Sequence, residues 1–73
     1  MKLDECRKRY VERLMSFGLD IEEADAIELF EEDMSESDAT VDGSGEVDNG
    51  GISPEEAALQ MANFIRLDRI LRP

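Results

Sequence analysis

A chain of 73 residues has room for one small domain and not for a second one. With one cysteine and no histidine it can form neither an internal disulfide nor the usual zinc sites, which predicts a reducing compartment, the cytoplasm. No apolar run approaches the length of a transmembrane helix or a secretion signal, so no membrane association is predicted.

The acidic residues are concentrated in the middle of the chain. From Glu22 to Glu56 there is no Lys or Arg. Residues 1–17 and 66–73 each carry a net charge of +2, while residues 18–65 carry −15. Such a field repels DNA, RNA and anionic lipid and speeds encounters with cationic surfaces. The sequence therefore predicts a protein partner with a basic surface and no direct binding of nucleic acid or membrane. Acids retained for solubility are the alternative explanation.

The first helix is predicted over residues 3–17. Its apolar residues recur at intervals of three and four, which places them on one face of a helix: Leu3, Cys6, Tyr10, Leu14 and Phe17. Gly18 follows at the position where many helices end with a left-handed residue. Because Cys6 belongs to the apolar face, we expect it to be a core residue and not a nucleophile.

A second helix is predicted over residues 21–34, with Asp20 and Glu23 as its capping pair. Acidic residues crowd its C-terminal end, where the helix dipole makes each of them unfavourable by up to about 1 kcal/mol. Their presence suggests a role in binding, although drift on a surface helix also explains it. The candidate partner-binding acids are Glu28, Glu31, Glu32, Asp33, Glu36 and Asp38.

Residues 35–52 are predicted to form a flexible, acidic, Gly-rich loop, which is longer than compact domains usually contain without a functional reason. The fold predicted from the sequence is therefore all-α, a single small three-helix domain with a long acidic loop before the last helix. That helix is predicted over residues 54–71, with Ser53, Pro54 and Glu56 forming a capping box.

The last helix has a broad predicted apolar face, formed by Ala57, Met61, Phe64, Ile65, Leu67 and Leu71. Leu59 and Ile70 project away from that face. The core does not account for them, so they are candidate contacts for a partner, although single exposed apolar residues are common.

The run from Asp42 to Asp48 resembles the centre of an EF-hand calcium loop. With Gly45 at the position of the sharp turn, the resemblance implies four calcium ligands: Asp42, Ser44, Glu46 and Asp48. Thr40 and Gly51 stand where the family has carboxylate ligands at the two ends of the loop, which implies binding no tighter than about millimolar. A calcium-responsive module is therefore an alternative function, and no cofactor is predicted.

No catalytic site is predicted. The serines and Cys6 have no histidine to activate them, and so short a chain has little room for a pocket that separates the pKa values of two carboxyls. The run Gly43-Ser44-Gly45 is flanked by acids and lacks the lysine of a phosphate-binding loop. A non-enzymatic protein is expected.

In length, in charge and in its opening Met1-Lys2-Leu3-Asp4-Glu5, the whole chain resembles the small acidic regulators of bacterial RNA polymerase that phages encode, of the type made by a Xanthomonas phage. The resemblance rests on no single motif. It implies a protein of the host cytoplasm that binds the polymerase near the RNA exit path, displaces the promoter-specificity factor, inhibits initiation and acts as an antiterminator. A DNA-mimic inhibitor of a nuclease or defence system fits the same composition.

Overall fold

The computed structural model describes residues 1–36, 39–48 and 51–71, except the side chain of Leu71. Within these ranges the chain forms three helices, α1 (Leu3–Ser16), α2 (Glu23–Glu36) and α3 (Pro54–Leu71), and two short strands, β1 (Thr40–Val41) and β2 (Val47–Asp48). A small, mostly helical domain is thereby confirmed. None of the described helices is both long and apolar enough to cross a membrane.

Helix α1 lies at the centre of the fold, and the other two helices pack against it. Tyr10 and Leu14 of α1 are its largest fully buried side chains. The Tyr10 ring meets the Phe30 ring of α2 edge to face, with 5.2 Å between the ring centroids. Helix α3 contributes Ala58 and Ala62 to the core, and their small side chains allow α3 to approach α1 closely. Cys6 is buried in this core, as predicted.

Helices α1 and α3 run in the same direction. At the start of α3, the Glu55 carboxylate pairs with Arg9 of α1. At the other end, the Arg69 guanidinium of α3 donates a hydrogen bond to the carbonyl of Leu19, just beyond α1. Gly18 has a φ of +65°, as the sequence predicts for the residue that ends α1.

The prediction that α2 begins at residue 21 with Asp20 as its N-cap is wrong. Asp20 has a φ of +58°, a left-handed conformation that an N-cap residue does not adopt, and α2 begins at Glu23. Asp20 is thus the second left-handed residue, after Gly18, in the segment that connects α1 to α2. The Glu22 amide donates instead to the Asp25 carboxylate at 3.3 Å, which caps α2 from inside its first turn.

The prediction of a flexible loop over residues 35–52 is not confirmed, because some of the described residues belong to regular elements. Ser35 and Glu36 extend α2, and β1 and β2 pair antiparallel, with Val41 opposite Val47. Gly45, with a φ of +85°, completes the short turn between the strands. Four residues of the predicted loop lie outside the described ranges: Ser37, Asp38, Asn49 and Gly50.

The hairpin is held by the N-terminal residues, which pair with it as an additional extended segment. The Val47 amide donates to the Met1 carbonyl at 2.8 Å, and the Leu3 amide donates to the Gly45 carbonyl at 2.9 Å. This pairing satisfies backbone groups that a two-stranded hairpin would leave exposed at its edge, and such a hairpin is marginal by itself.

Helix α3 begins at Pro54 as predicted, and the Ser53 hydroxyl accepts a hydrogen bond from the Glu56 amide at 3.1 Å. Its predicted apolar face is only partly correct. Ala57, Met61 and Ile65 pack against the core, whereas Phe64 is 67% and Leu67 55% exposed. The contact with α1 uses a narrow stripe centred on the alanines, so apolar residues farther round the helix face solvent. The side chain of Leu71 lies outside the described part of the chain.

Candidate functional site

One side of α2 is a continuous acidic surface. Glu28, Glu31, Glu32 and Glu36 recur at helical spacing and are all exposed, and we call these four residues the acidic face. None of them forms an ion pair with any described residue. The acidic face therefore carries negative charge that the described part of the molecule does not neutralise. Asp38, which the sequence also suggested, lies outside the described residues.

Several of the described basic side chains form contacts away from the acidic face. Arg9 pairs with Glu55 on α3, and Arg7 pairs with Asp4 one turn away at 3.0 Å. The guanidinium groups of Arg13 and Arg66 lie over the ring of Phe17, 4.9 and 5.5 Å from its centroid. The contacts of Arg9 and Arg66 join α1 to α3, and none of these contacts places a cation against the acidic face of α2.

Asp33 lies at the border between the acidic face and the core. It is half-buried, and burial raises the pKa of its carboxyl; the nearby Tyr10 hydroxyl opposes this shift, and neighbouring Glu36 adds to it by a smaller amount. A cavity of about 90 Å³ opens beside it, where α1, α2 and the start of α3 meet. The cavity is lined by Cys6, Tyr10, Phe30, Asp33, Met34, Ile52, Pro54, Ala57 and Gln60.

The Tyr10 hydroxyl has no hydrogen-bond partner among the described residues, although Tyr10 is only 1% exposed. Burial raises the pKa of Tyr10, and the nearby Asp33 carboxyl raises it further. The two groups are close enough to influence each other but do not meet the distance and angle of a hydrogen bond. A buried polar group without a partner lowers the stability of the folded protein. A structural role in the core therefore does not account for this hydroxyl.

The four candidate calcium ligands lie in and beside the hairpin turn. Asp42 accepts hydrogen bonds from the Ser44 hydroxyl at 2.6 Å, the Ser44 amide at 2.9 Å and the Glu46 amide at 3.0 Å. These hydrogen bonds lower the pKa of Asp42, and the bond from the Ser44 hydroxyl has the largest effect. The Glu46 carboxylate meets the N-terminal ammonium at 2.6 Å, which lowers its pKa, and Lys2 lies 3.5 Å away.

Asp48, the fourth candidate, is exposed on β2. Within the described ranges, no three or more Asp, Glu, Cys or His side chains come together as metal ligands would. The hydrogen bonds around Asp42 are those of an aspartate that stabilises a tight turn. In this structure the residues that resemble a calcium loop form a hairpin turn with hydrogen bonds of its own.

Exposed apolar side chains lie along the outer side of α3. Leu59 is 41% and Ile70 79% exposed, as the sequence predicted for these two positions. Phe64 and Leu67 add to the same exposed surface, which sequence reasoning did not find because it placed them in the core. The signal for them was available, since α3 carries apolar residues on nearly every side and one neighbouring helix cannot cover them all.

No protein-family model matches the sequence, and comparisons with curated proteins and with solved structures return no significant match.

Proposed function

We propose that the protein is a non-enzymatic regulator that docks its acidic face on a basic surface of the nucleic-acid machinery. The observation that carries the proposal is the acidic face itself, in which Glu28, Glu31, Glu32 and Glu36 are exposed without a basic partner among the described residues. Like charges this close repel one another, and a cationic protein surface relieves that repulsion.

The acidic face increases the rate and the selectivity of partner binding more than it increases the affinity. Exposed ion pairs are worth about 0.2–1 kcal/mol each, so four carboxylates do not make a tight complex alone. Electrostatic attraction nevertheless speeds association and disfavours acidic competitors. We assign the remaining contact area to the exposed apolar residues of α3, with Leu59 and Ile70 as the first to test and Phe64 and Leu67 beside them.

The target we propose is bacterial RNA polymerase, on the strength of the chain's resemblance in length and charge to small phage regulators of that enzyme. In this scheme the protein competes with the promoter-specificity factor, so initiation is inhibited and terminators are read through. The basic surfaces that such an enzyme uses for nucleic acid are suitable docking sites for an acidic helix. A DNA-mimic inhibitor of a nuclease would use the same acidic face.

Equilibrium binding to purified bacterial core RNA polymerase, measured across a salt series, tests the proposal. Between about 0.1 M and about 1 M salt the screening length falls from about 10 Å to about 3 Å. We expect the affinity to fall at least about tenfold over that range and the promoter-specificity factor to compete. Affinity that does not change with salt would remove the acidic face from the mechanism. Salt-sensitive binding to a DNA nuclease in place of the polymerase would support the DNA-mimic alternative.

A further inference from the structure

The cavity beside Asp33 combines apolar walls with two polar groups at one place. Cys6, Phe30 and Ala57 supply apolar surface, and burial raises the pKa of the Cys6 thiol, which therefore stays uncharged. The polar groups are the Asp33 carboxyl and the buried Tyr10 hydroxyl that lacks a partner among the described residues. An unpaired buried polar atom in a cavity of this kind is a candidate contact for a ligand.

We propose that this cavity receives the end of one lysine side chain from the basic partner, whose ammonium donates hydrogen bonds to the Asp33 carboxylate and the Tyr10 hydroxyl. The inference rests on the proposed function, because the lysine belongs to the docked protein. It adds a specific anchoring contact beside the acidic face, whose own four residues interact through charge.

The volume of the cavity favours the end of a side chain over a whole metabolite as its occupant. A volume of about 90 Å³ corresponds to about three water molecules at about 30 Å³ each, and cavities that hold a benzene ring are nearer 150 Å³. The last methylene groups and the ammonium of lysine need a narrow apolar passage that ends in acceptors. Arginine presents a wide planar fork with five donors, for which two acceptors in so small a space are a poor match.

The energetics of the unbound protein favour this occupant. Burial disfavours the charged carboxylate of Asp33, and the Tyr10 hydroxyl has lost water without gaining a described partner. An ammonium relieves both costs at once, since it neutralises the carboxylate and supplies the hydroxyl with a donor. Glu36 lies close enough to Asp33 to act on it electrostatically, so the acidic face leads toward the cavity.

NMR of the isotope-labelled full chain with n-butylammonium as the probe tests the inference, because this amine reproduces the side chain of lysine. We expect saturable shifts at Cys6, Tyr10 and Ala57, with n-butanol as the uncharged control producing none. Asp33→Asn is expected to weaken amine binding by about tenfold or more, since a charged hydrogen bond is lost. Tyr10→Phe is expected to weaken it by less, and it provides a second test if the first variant does not fold.

The matched control for charge is Glu12→Gln, which removes an exposed carboxylate of α1 outside both the cavity and the acidic face and should change amine binding by less than about twofold. Shifts confined to the acidic face, or equal responses to butylammonium and butanol, would overturn the inference. If the amine does not bind in the cavity while polymerase binding remains salt-sensitive, the inference of a lysine-binding cavity is wrong and the proposed function is retained. If the amine enters the cavity and no basic protein binds, the proposed function fails and an amine site remains.

Discussion

The Arg9 guanidinium of α1 binds both carboxylate oxygens of Glu55 in the first turn of α3, with its Nε 2.9 Å from Oε2. This two-point contact holds the start of α3 against α1. A fork-shaped guanidinium fits a carboxylate in a way that a lysine ammonium does not. The pair therefore fixes one contact between the start of α3 and the middle of α1.

Two substitutions of Arg9 distinguish the effect of its positive charge from the effect of its two-point contact with Glu55. Arg9→Lys keeps the charge and loses the second hydrogen bond, whereas Arg9→Gln loses both. We expect the urea midpoint of unfolding, followed by circular dichroism, to fall in the order wild type, lysine variant, glutamine variant, with smaller differences in high salt because the pair is partly exposed. Identical midpoints for the three proteins would show that the contact does not stabilise the fold.

The core is predicted to depend strongly on Leu14, which is fully buried. Leu14→Ala should cost about 3–5 kcal/mol, through lost burial and the cavity left behind. The same substitution at Leu59, which is 41% exposed, should change the free energy of unfolding by less than about 0.5 kcal/mol. Because a domain of this size has only about 4–11 kcal/mol of stability, we expect the Leu14 variant to lose much of its helical signal near physiological temperature. Equal effects of the two substitutions would contradict the packing described.

Local sequence signals were enough to predict much of the helical structure. Helix α1 follows from the spacing of Cys6, Tyr10 and Leu14, and the start of α3 follows from Ser53 and Pro54. The hairpin was missed because its strands are two residues long and depend on the N-terminal residues, more than forty positions away in sequence. Sequence patterns contain little information about such distant pairing.

The sequence predicted part of the candidate site, as it did part of the fold. Exposure of Glu28, Glu31 and Glu32 follows from helical spacing alone. Tyr10 was correctly assigned to the core, but the missing partner of its hydroxyl depends on how three elements pack around the cavity. Exposure of Phe64 also depends on packing, because only the tertiary structure shows that no described element covers that side of α3.

Removing the Tyr10 hydroxyl should stabilise the free protein. Tyr10→Phe keeps the ring contact with Phe30 and eliminates a buried polar atom that has no partner among the described residues. We expect the free energy of unfolding to rise by about 1 kcal/mol, since the lost desolvation penalty exceeds any lost interaction. Denaturant unfolding of the two proteins measures the difference. A fall in stability would mean that the hydroxyl is bonded in solution.

Asp33 should make the protein less stable as pH rises. Burial raises the pKa of its carboxyl in the folded state, so folding takes up a proton between the ordinary Asp value of 3.8 and the raised value. The cost is absent below that window and complete above it. Asp33→Asn should therefore be more stable than wild type at neutral pH and equal to it in acid. An advantage of the variant that does not change with pH would contradict this assignment.

The hairpin should respond to pH in the opposite direction. Hydrogen bonds from Ser44 and from the turn amides lower the pKa of Asp42, and the N-terminal ammonium lowers that of Glu46. Their stabilisation is complete above the ordinary values of 3.8 and 4.5 and is lost as pH falls through the lower folded values. NMR shifts of the Gly45 and Val47 amides should follow this loss. Asp42→Asn with Glu46→Gln should make those shifts insensitive to pH over the range in which the wild type responds.

The most direct test of the central claim compares two triple variants that change net charge equally. One neutralises the acidic face with Glu28→Gln, Glu31→Gln and Glu32→Gln, and the other neutralises exposed acids on α1 and α3, Glu5, Glu12 and Glu56, in the same way. After circular dichroism has shown equal helicity, affinity for the polymerase is measured for both. We predict a loss of between about threefold and about 150-fold for the first variant, from three ion pairs of about 0.2–1 kcal/mol each, and little change for the second. Equal affinities for the two variants would contradict docking through the acidic face of α2.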